Sequence, residues 1–186
     1  MKLTVSSTNH AAYMRRTLEL ACAALDAGNH PFAAILVKDG VVVSEMGDQS
    51  TVINDPTHHP ELAVIRAFCT THQITNLAGC ALYTNVEPCP MCAGAIYYSG
   101  ITLVAFSLSR KRFYEFRNRA RGEKVRAYVD STTLINDGCH QTTVVPDILA
   151  DEGGRLFENY AFPSRFELRT RRTISELQSN GDGHEH

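Results

Sequence analysis

Strands alternating with helices along one 186-residue chain predict a three-layer α/β/α domain with a mostly parallel central sheet. Three observations carry that expectation. Met14, Leu18, Ala21 and Leu25 recur at helical spacing near the N-terminus. Two apolar runs flank Lys38-Asp39-Gly40, a tight-turn sequence. Three further short apolar runs, at 80–85, 102–106 and 142–145, each neighbour a helical pattern.

In chain order, the first helix is expected from about Ala11 to Ala27, with Asn9 or Thr8 as cap and Gly28 as stop. Phe32–Val37 and Val41–Glu45 form a hairpin across Asp39-Gly40. The next helix runs from His58 to about His72, with Thr57 as cap, Pro60 in the first turn and Leu62, Ile65, Ala67 and Phe68 on its buried face. A strand over Cys80–Asn85 leads into Glu87-Pro88, and a helix follows from Cys89 to Tyr98, ended by Gly100. Thr102–Phe106 is a strand; a long irregular stretch precedes the short strand Thr142–Val145. Pro146 then opens a last helix through about Tyr160, its pattern interrupted at Gly153-Gly154. One domain over residues 1–162 and a polar tail over 163–186, disordered from Ser179, complete the organisation.

The composition is that of an ordinary globular protein, with 44% hydrophobic and 20% charged residues and a formal net charge of −2. No apolar run is long enough to span a bilayer, and the N-terminus lacks the order of a signal peptide, so the expected location is the cytoplasm. The six cysteines lie at irregular spacings that describe no disulfide framework. Cys22, Cys69 and Cys80 read as buried small hydrophobes.

The chemistry concentrates in His59-Pro60-Glu61 and Pro88-Cys89-Pro90-Met91-Cys92. One imidazole and two thiolates suit Zn²⁺ and leave its fourth tetrahedral position for water. Glu61, two residues from a ligand, can serve that water as proton carrier without binding metal. A lone C-x-x-C is also compatible with a redox pair or half a structural zinc knuckle. A structural site needs a fourth protein ligand, and the candidates His58, Cys69, Cys80, Cys139 and His140 show no second C-x-x-C or H-x₃₋₅-H spacing. Both metal stretches fall at helix starts, where the positive helix end favours thiolates.

H-x-E followed by P-C-x-x-C is the signature of zinc nucleobase deaminases. With His30-Pro31-Phe32-Ala33-Ala34, Asn54-Asp55-Pro56-Thr57 and Ile148-Leu149-Ala150-Asp151-Glu152, the chain resembles the cytidine/deoxycytidylate deaminase superfamily over about Met14 to Tyr160. Within it, the resemblance is to the branch holding guanine deaminases, tRNA adenosine deaminases and fungal-type cytosine deaminases. It implies a five-stranded mixed sheet, one Zn²⁺ per subunit on His59, Cys89 and Cys92, Glu61 as catalytic acid and base, hydrolytic loss of an exocyclic amine, and a homodimer or larger assembly. Phe32, Asp48, Pro60, Pro88 and the backbone of Cys89 are the substrate-contacting positions it implies. Tyr160 and Phe162 either reach the pocket, as C-terminal aromatics do in relatives, or pack on the sheet.

Three positions depart from the family pattern. Asp48 falls where relatives carry a base-gripping asparagine, Pro60 replaces a small residue whose N–H donates to a base carbonyl, and Ala33 stands where glycine is common. An ionised aspartate only accepts and proline has no N–H to give. The combination suits a substrate with N–H groups at that edge, such as an aminopurine, a diamino heterocycle or a triazine, over cytosine. A protonated Asp48, or Gln49 filling the asparagine's role through a one-residue shift, is the competing reading.

Ser109 to Arg126 holds eight basic and two acidic residues, net +6, with Phe113, Tyr114 and Phe116 interleaved. Such a segment fits RNA contact, a structural or dimer-forming connector, or a grip on a nucleotide phosphate. An overall pI near 6.4 weakens the RNA reading. The functional expectation is a zinc-dependent deaminase of a purine-like base or nucleoside, with tRNA adenosine deamination and then cytosine deamination as alternatives.

Overall fold

The computed structural model describes residues 7–124, 128–137 and 141–163. Five strands form one sheet in the order β2-β1-β3-β4-β5, where β1 is Ala33–Lys38, β2 Val41–Gly47, β3 Cys80–Val86, β4 Leu103–Leu108 and β5 Thr143–Val145. The β3–β4 and β4–β5 pairs are parallel, and the β2–β1 and β1–β3 pairs are antiparallel. The sheet is thus mixed, as the resemblance implies, and less parallel than the strand–helix alternation suggests. The hairpin explains this: β2 and β3 point the same way, joined by helix α2 (Pro60–His72), and β1 fills the place between them in the opposite direction. Asp39 and Gly40 turn the hairpin with φ of 50° and 79°, the left-handed pair a two-residue turn needs.

Alternating side chains of the central strands feed two cores. On one face Leu36, Leu82 and Val104 pack with Val64 and Phe68 of α2, Ile96 of α3 (Pro90–Ser99) and Ile135 of α5 (Ser131–Ile135). On the other, Ile35, Tyr83 and Ala105 pack with Met14 and Leu18 of α1 (Ser7–Asp26) and Leu156 of α6 (Ala150–Glu158). A third cluster, Val86, Leu108, Phe157 and Phe162, closes one end of β3 and β4 together with Phe113 and Phe116 of α4 (Arg110–Arg121).

Several sequence expectations are corrected. α1 begins at Ser7, so Thr8 and Asn9 lie inside it. Of the three cysteines expected to be buried, Cys80 is, whereas Cys69 is half-buried and Cys22 exposed. α2 begins at Pro60 with His59 as its cap, because Thr57 is engaged in a turn with Asp55, whose Oδ1 accepts from the Thr57 N–H at 2.8 Å. The irregular stretch after β4 contains α4, capped by the Ser109 side chain accepting from the Arg112 N–H, and the short α5. α6 begins at Ala150: Asp147 and Leu149 take φ of 59° and 53°, so the chain turns before the helix starts. Gly153 is where α6 meets the sheet, since a Cβ there would lie 2.2 Å from Ser107 Oγ. Cys139, His140 and the tail beyond Pro163 lie outside the described residues.

Candidate active site

One edge of the sheet collects the chemistry. β3 and β4 deliver Glu87–Cys89 and Ser109-Arg110 from their C-terminal ends, β2 delivers Asp48, and the reversed β1 delivers His30 and Phe32 from its start. The Asp48 N–H donates to the Phe32 carbonyl at 2.8 Å, and Asn85 fixes the approach to β1 by accepting from the Ala33 N–H and donating to the Pro31 carbonyl. Crevices beyond the carboxyl ends of strands are where open α/β sheets place ligands.

Both metal-binding stretches are built alike. His59 and Cys89 are the caps of α2 and α3, extended at φ/ψ of −75°/146° and −71°/167°, and each is followed by proline at the first helical position. Proline is preorganised there and its missing N–H costs nothing. Neither side chain makes a capping hydrogen bond to its own helix, and both turn toward Cys92 instead. Cys92, one turn into α3, comes beside them. His59 Nδ1 lies 3.5 Å from Cys89 Sγ and 3.6 Å from Cys92 Sγ, and the sulfurs are 3.5 Å apart. Zn–S bonds of ~2.3 Å and a Zn–N bond of ~2.0 Å set tetrahedral ligand atoms ~3.5–3.8 Å apart, so the triad fits zinc. Its electrostatics agree. Hydrogen bonds from Cys92 and then His59 pull the Cys89 thiol down to about 3, while the neighbouring sulfur and burial push Cys92 up. Two such sulfurs become thiolates together when a cation sits between them. Among the described residues this is the one cluster of three or more metal-ligand side chains, and His58, Cys69 and Cys80 are not in it.

Glu61 sits in the first turn of α2, 7% exposed, with Thr84 Oγ 3.4 Å from its Oε1. Burial raises its pKa, against the opposing effect of His59. A carboxyl so placed is poised to carry a proton.

A cavity of about 520 Å³ opens beside the triad, within the usual size of small-molecule sites. Its wall includes the expected Phe32, Asp48, Pro60 and Cys89, with His59 and Glu61. Pro88 is buried between the lining residues Glu87 and Cys89 and does not itself reach the wall. Asp48 is 3% exposed; its Oδ1 accepts from the N–H and hydroxyl of Ser50, and burial raises its pKa. Gln49 is exposed and off the wall.

Three features of the wall were not assigned from sequence. His30 Nδ1 is 2.6 Å from the Tyr160 hydroxyl. Tyr160, Phe162 and Pro163 line the cavity too; the two aromatics both reach it and pack on Phe157 at the end of the sheet, and Pro163, given to the tail, joins the wall. Glu87, 7% exposed, accepts from the Arg110 N–H at 2.8 Å and the Ser131 N–H at 3.0 Å, tying the starts of α4 and α5 to the metal loop. Arg110, Phe113, Tyr114, Arg117 and Arg121 of α4 line the cavity as well, with Phe113 and Arg121 in contact with Phe162. Aromatic residues among arginines just after a strand were the available signal for that part of the wall.

The comparisons agree with this site. The model of the cytidine and deoxycytidylate deaminase zinc-binding region matches residues 7–108. Guanine deaminase of Bacillus subtilis is 45% identical over 49% of this chain and 59% of its own length. A solved structure of guanine deaminase from that organism superposes with a TM-score of 0.55 at 31% identity, covering 67% of this chain and 88% of the other. A probable cytosine deaminase of Schizosaccharomyces pombe is 32% identical over 82% of this chain and 92% of its own. The tRNA-specific adenosine deaminase of Haemophilus influenzae is 31% identical over 90% and 91%. The alignment thus spans about three fifths of the guanine deaminase and nearly all of the other two. Among the described residues no helix is long and apolar enough to cross a membrane. With its zinc triad, neighbouring glutamate and mixed five-stranded sheet, the chain belongs to the cytidine and deoxycytidylate deaminase family of zinc-dependent hydrolases acting on C–N bonds.

Proposed function

We propose that residues 1–162 form a deaminase domain that releases ammonia from a purine-like amino heterocycle. The observation that carries this reading is the pairing of Asp48 with Pro60 on the wall beside the triad. Pro60 offers no N–H, and Asp48 puts a carboxyl where the family pattern has an amide. A base edge carrying N–H groups meets such a wall better than the carbonyl edge of cytosine. Phe32 gives the ring an apolar face to lie against.

His59, Cys89 and Cys92 hold zinc, which when bound lowers the pKa of a water ligand towards ~7. Glu61 would take one proton from the attacking water and hand it to the ring nitrogen beside the reacting carbon, then take the second from the hydroxyl of the adduct and pass it to the amine as the C–N bond breaks and the carbonyl forms. Its burial suits this shuttle, because desolvation raises its pKa and so eases uptake of a proton. The Cys89 N–H, at the start of α3, and the Pro88 carbonyl serve as backbone contacts to the reacting groups. A cytoplasmic homodimer belongs to the same proposal; Tyr98, 85% exposed on α3, is the kind of side chain a second subunit covers.

Ammonia release by the zinc-loaded protein from cytosine, guanine, 2,6-diaminopurine and an aminotriazine, with Glu61→Gln as control, tests the reading. Turnover of the purine-like bases, lost in the control, is expected; preference for cytosine refutes it. The tRNA reading has its own support in the basic α4 and the full-length similarity to the Haemophilus enzyme. Turnover of an RNA hairpin that falls steeply with salt favours it.

A further inference from the structure

The outward and inward arginines of α4 differ in how they are satisfied. Arg112 pairs with Asp151 at 3.0 Å and Arg119 lies over the Phe116 ring, both away from the cavity. Arg110, Tyr114, Arg117 and Arg121 follow at helical spacing, and all four line the cavity. Arg117 Nη2 and Arg121 Nε share the single carboxylate of Glu123, each at 2.9 Å, one on either oxygen. Arg121 also donates to the Phe162 carbonyl at 2.8 Å. Arg110 makes no ion pair among the described residues; its guanidinium lies 5.3 Å from the Tyr114 ring centre and donates to the Tyr114 hydroxyl, and its buried Nε–H has no acceptor.

Two guanidiniums on one carboxylate leave one positive charge, and Arg110 adds a second. Asp48 Oδ1 is held by the N–H and hydroxyl of Ser50 and Glu61 Oε1 lies beside Thr84 Oγ, and neither carboxyl pairs with an arginine among the described residues. Glu87 spends both oxygens on the N–H groups of Arg110 and Ser131. A cavity of about 520 Å³ exceeds what a lone planar base fills, and its arginine wall is prearranged by Glu123 and Phe162. A phosphate monoester carries about −1.5 to −2 charges at pH 7, which complements this wall, and guanidiniums are its natural planar partners.

We infer that the α4 face formed by Arg110, Arg117 and Arg121 is a phosphate handle, and that the substrate is a nucleoside 5′-monophosphate whose base reaches the zinc triad. This rests on the purine-like reading above and specifies the form in which the base is presented. A free mononucleotide fits better than a polynucleotide, because these arginines face into a cavity whose wall continues through Tyr160, Phe162 and Pro163.

The test compares free base, nucleoside and 5′-monophosphate of guanine and adenine on the zinc-loaded protein, by ammonia release and by calorimetric binding with inorganic phosphate as competitor. The monophosphate is expected to exceed the nucleoside in kcat/KM by at least tenfold. Arg110→Gln and Arg117→Gln should each cut that ratio by about ten- to a hundredfold, the span of a charge-assisted hydrogen bond, and Arg117→Lys should restore part of it. Equal use of nucleoside and monophosphate, a ratio unchanged in the variants, or an RNA hairpin outperforming the mononucleotide overturns the handle while leaving base deamination standing. Silence of every base with monophosphate binding that the variants abolish supports the handle and sinks the purine reading. Silence without binding overturns both.

Discussion

Glu87 joins two helix starts to the metal loop, and replacing it should unsettle all three at once. Its two carboxylate oxygens each accept one backbone N–H, from Arg110 and from Ser131, in a setting only 7% exposed. A hydrogen bond to a charged group contributes ~1.5–3 kcal/mol and a typical N-terminal cap ~1 kcal/mol, so losing both bonds in Glu87→Ala should cost ~2–4 kcal/mol. For a chain of this size each kcal/mol lowers Tm by ~2–4 °C, giving a fall of ~4–16 °C. Glu87→Gln keeps one acceptor oxygen and should lose about half as much. Thermal melting of the zinc-loaded protein, with zinc content measured alongside, checks this. A Glu87→Ala variant within ~0.5 kcal/mol of the parent, the range of ordinary surface substitutions, refutes the reasoning.

Other perturbations separate the remaining contacts. Glu61→Gln should lower kcat by at least ~10²–10⁴ while one zinc per chain is retained, as metal analysis will show. Cys89→Ala or prolonged chelation should remove both zinc and turnover, with activity returning to the chelated protein on zinc addition. Gly153→Ala places a Cβ 2.2 Å from Ser107 Oγ and should cost ~1–3 kcal/mol in denaturant unfolding, part of it recovered in the Ser107→Ala background. Tyr160→Phe removes the 2.6 Å contact to His30 Nδ1 and should cost ~0.5–1.5 kcal/mol of stability with a raised KM.

The metal end of the site was legible in the sequence because its information is local. Ligand type, the two-residue step from His59 to Glu61 and the three-residue step from Cys89 to Cys92 are fixed by coordination chemistry and by one helical turn. The helices expected from His58 and Cys89 begin at the prolines Pro60 and Pro90. Where the local signal was ambiguous, tertiary contacts decided. Thr57 looks as good a cap as any, yet its N–H and hydroxyl are engaged by Asp55 Oδ1 and His59 takes the cap position. Gly153-Gly154 reads as a break in a helix, and becomes its point of contact once β4 is laid beneath it. The start of α6 was placed early because Asp147 and Leu149 adopt left-handed φ, held by the Ile148 N–H on the Phe106 carbonyl and by Ser107 on the Leu149 carbonyl.

α4 is the instructive miss, because the property that hid it also makes it functional. A helix buries a stripe of apolar side chains, and periodicity is read from that stripe. α4 has no fully buried residue; Phe113 and Phe116 are the partly buried anchors that join it to Phe157 and Phe162. Arginine occupies the neighbouring positions, which face a cavity instead of a core, so no apolar period survives. Its start is fixed locally by the Ser109 side chain, which accepts from the Arg112 N–H, and from the metal loop by Glu87, which accepts from the Arg110 N–H. A cationic helix anchored by two phenylalanines at one end of the sheet has little reason to be so polar on its inner side unless that side meets something charged. The zinc triad therefore carries the family's reaction, and on the proposed reading the cavity-lining residues of α4, with Asp48 and Pro60, select the molecule on which it is performed.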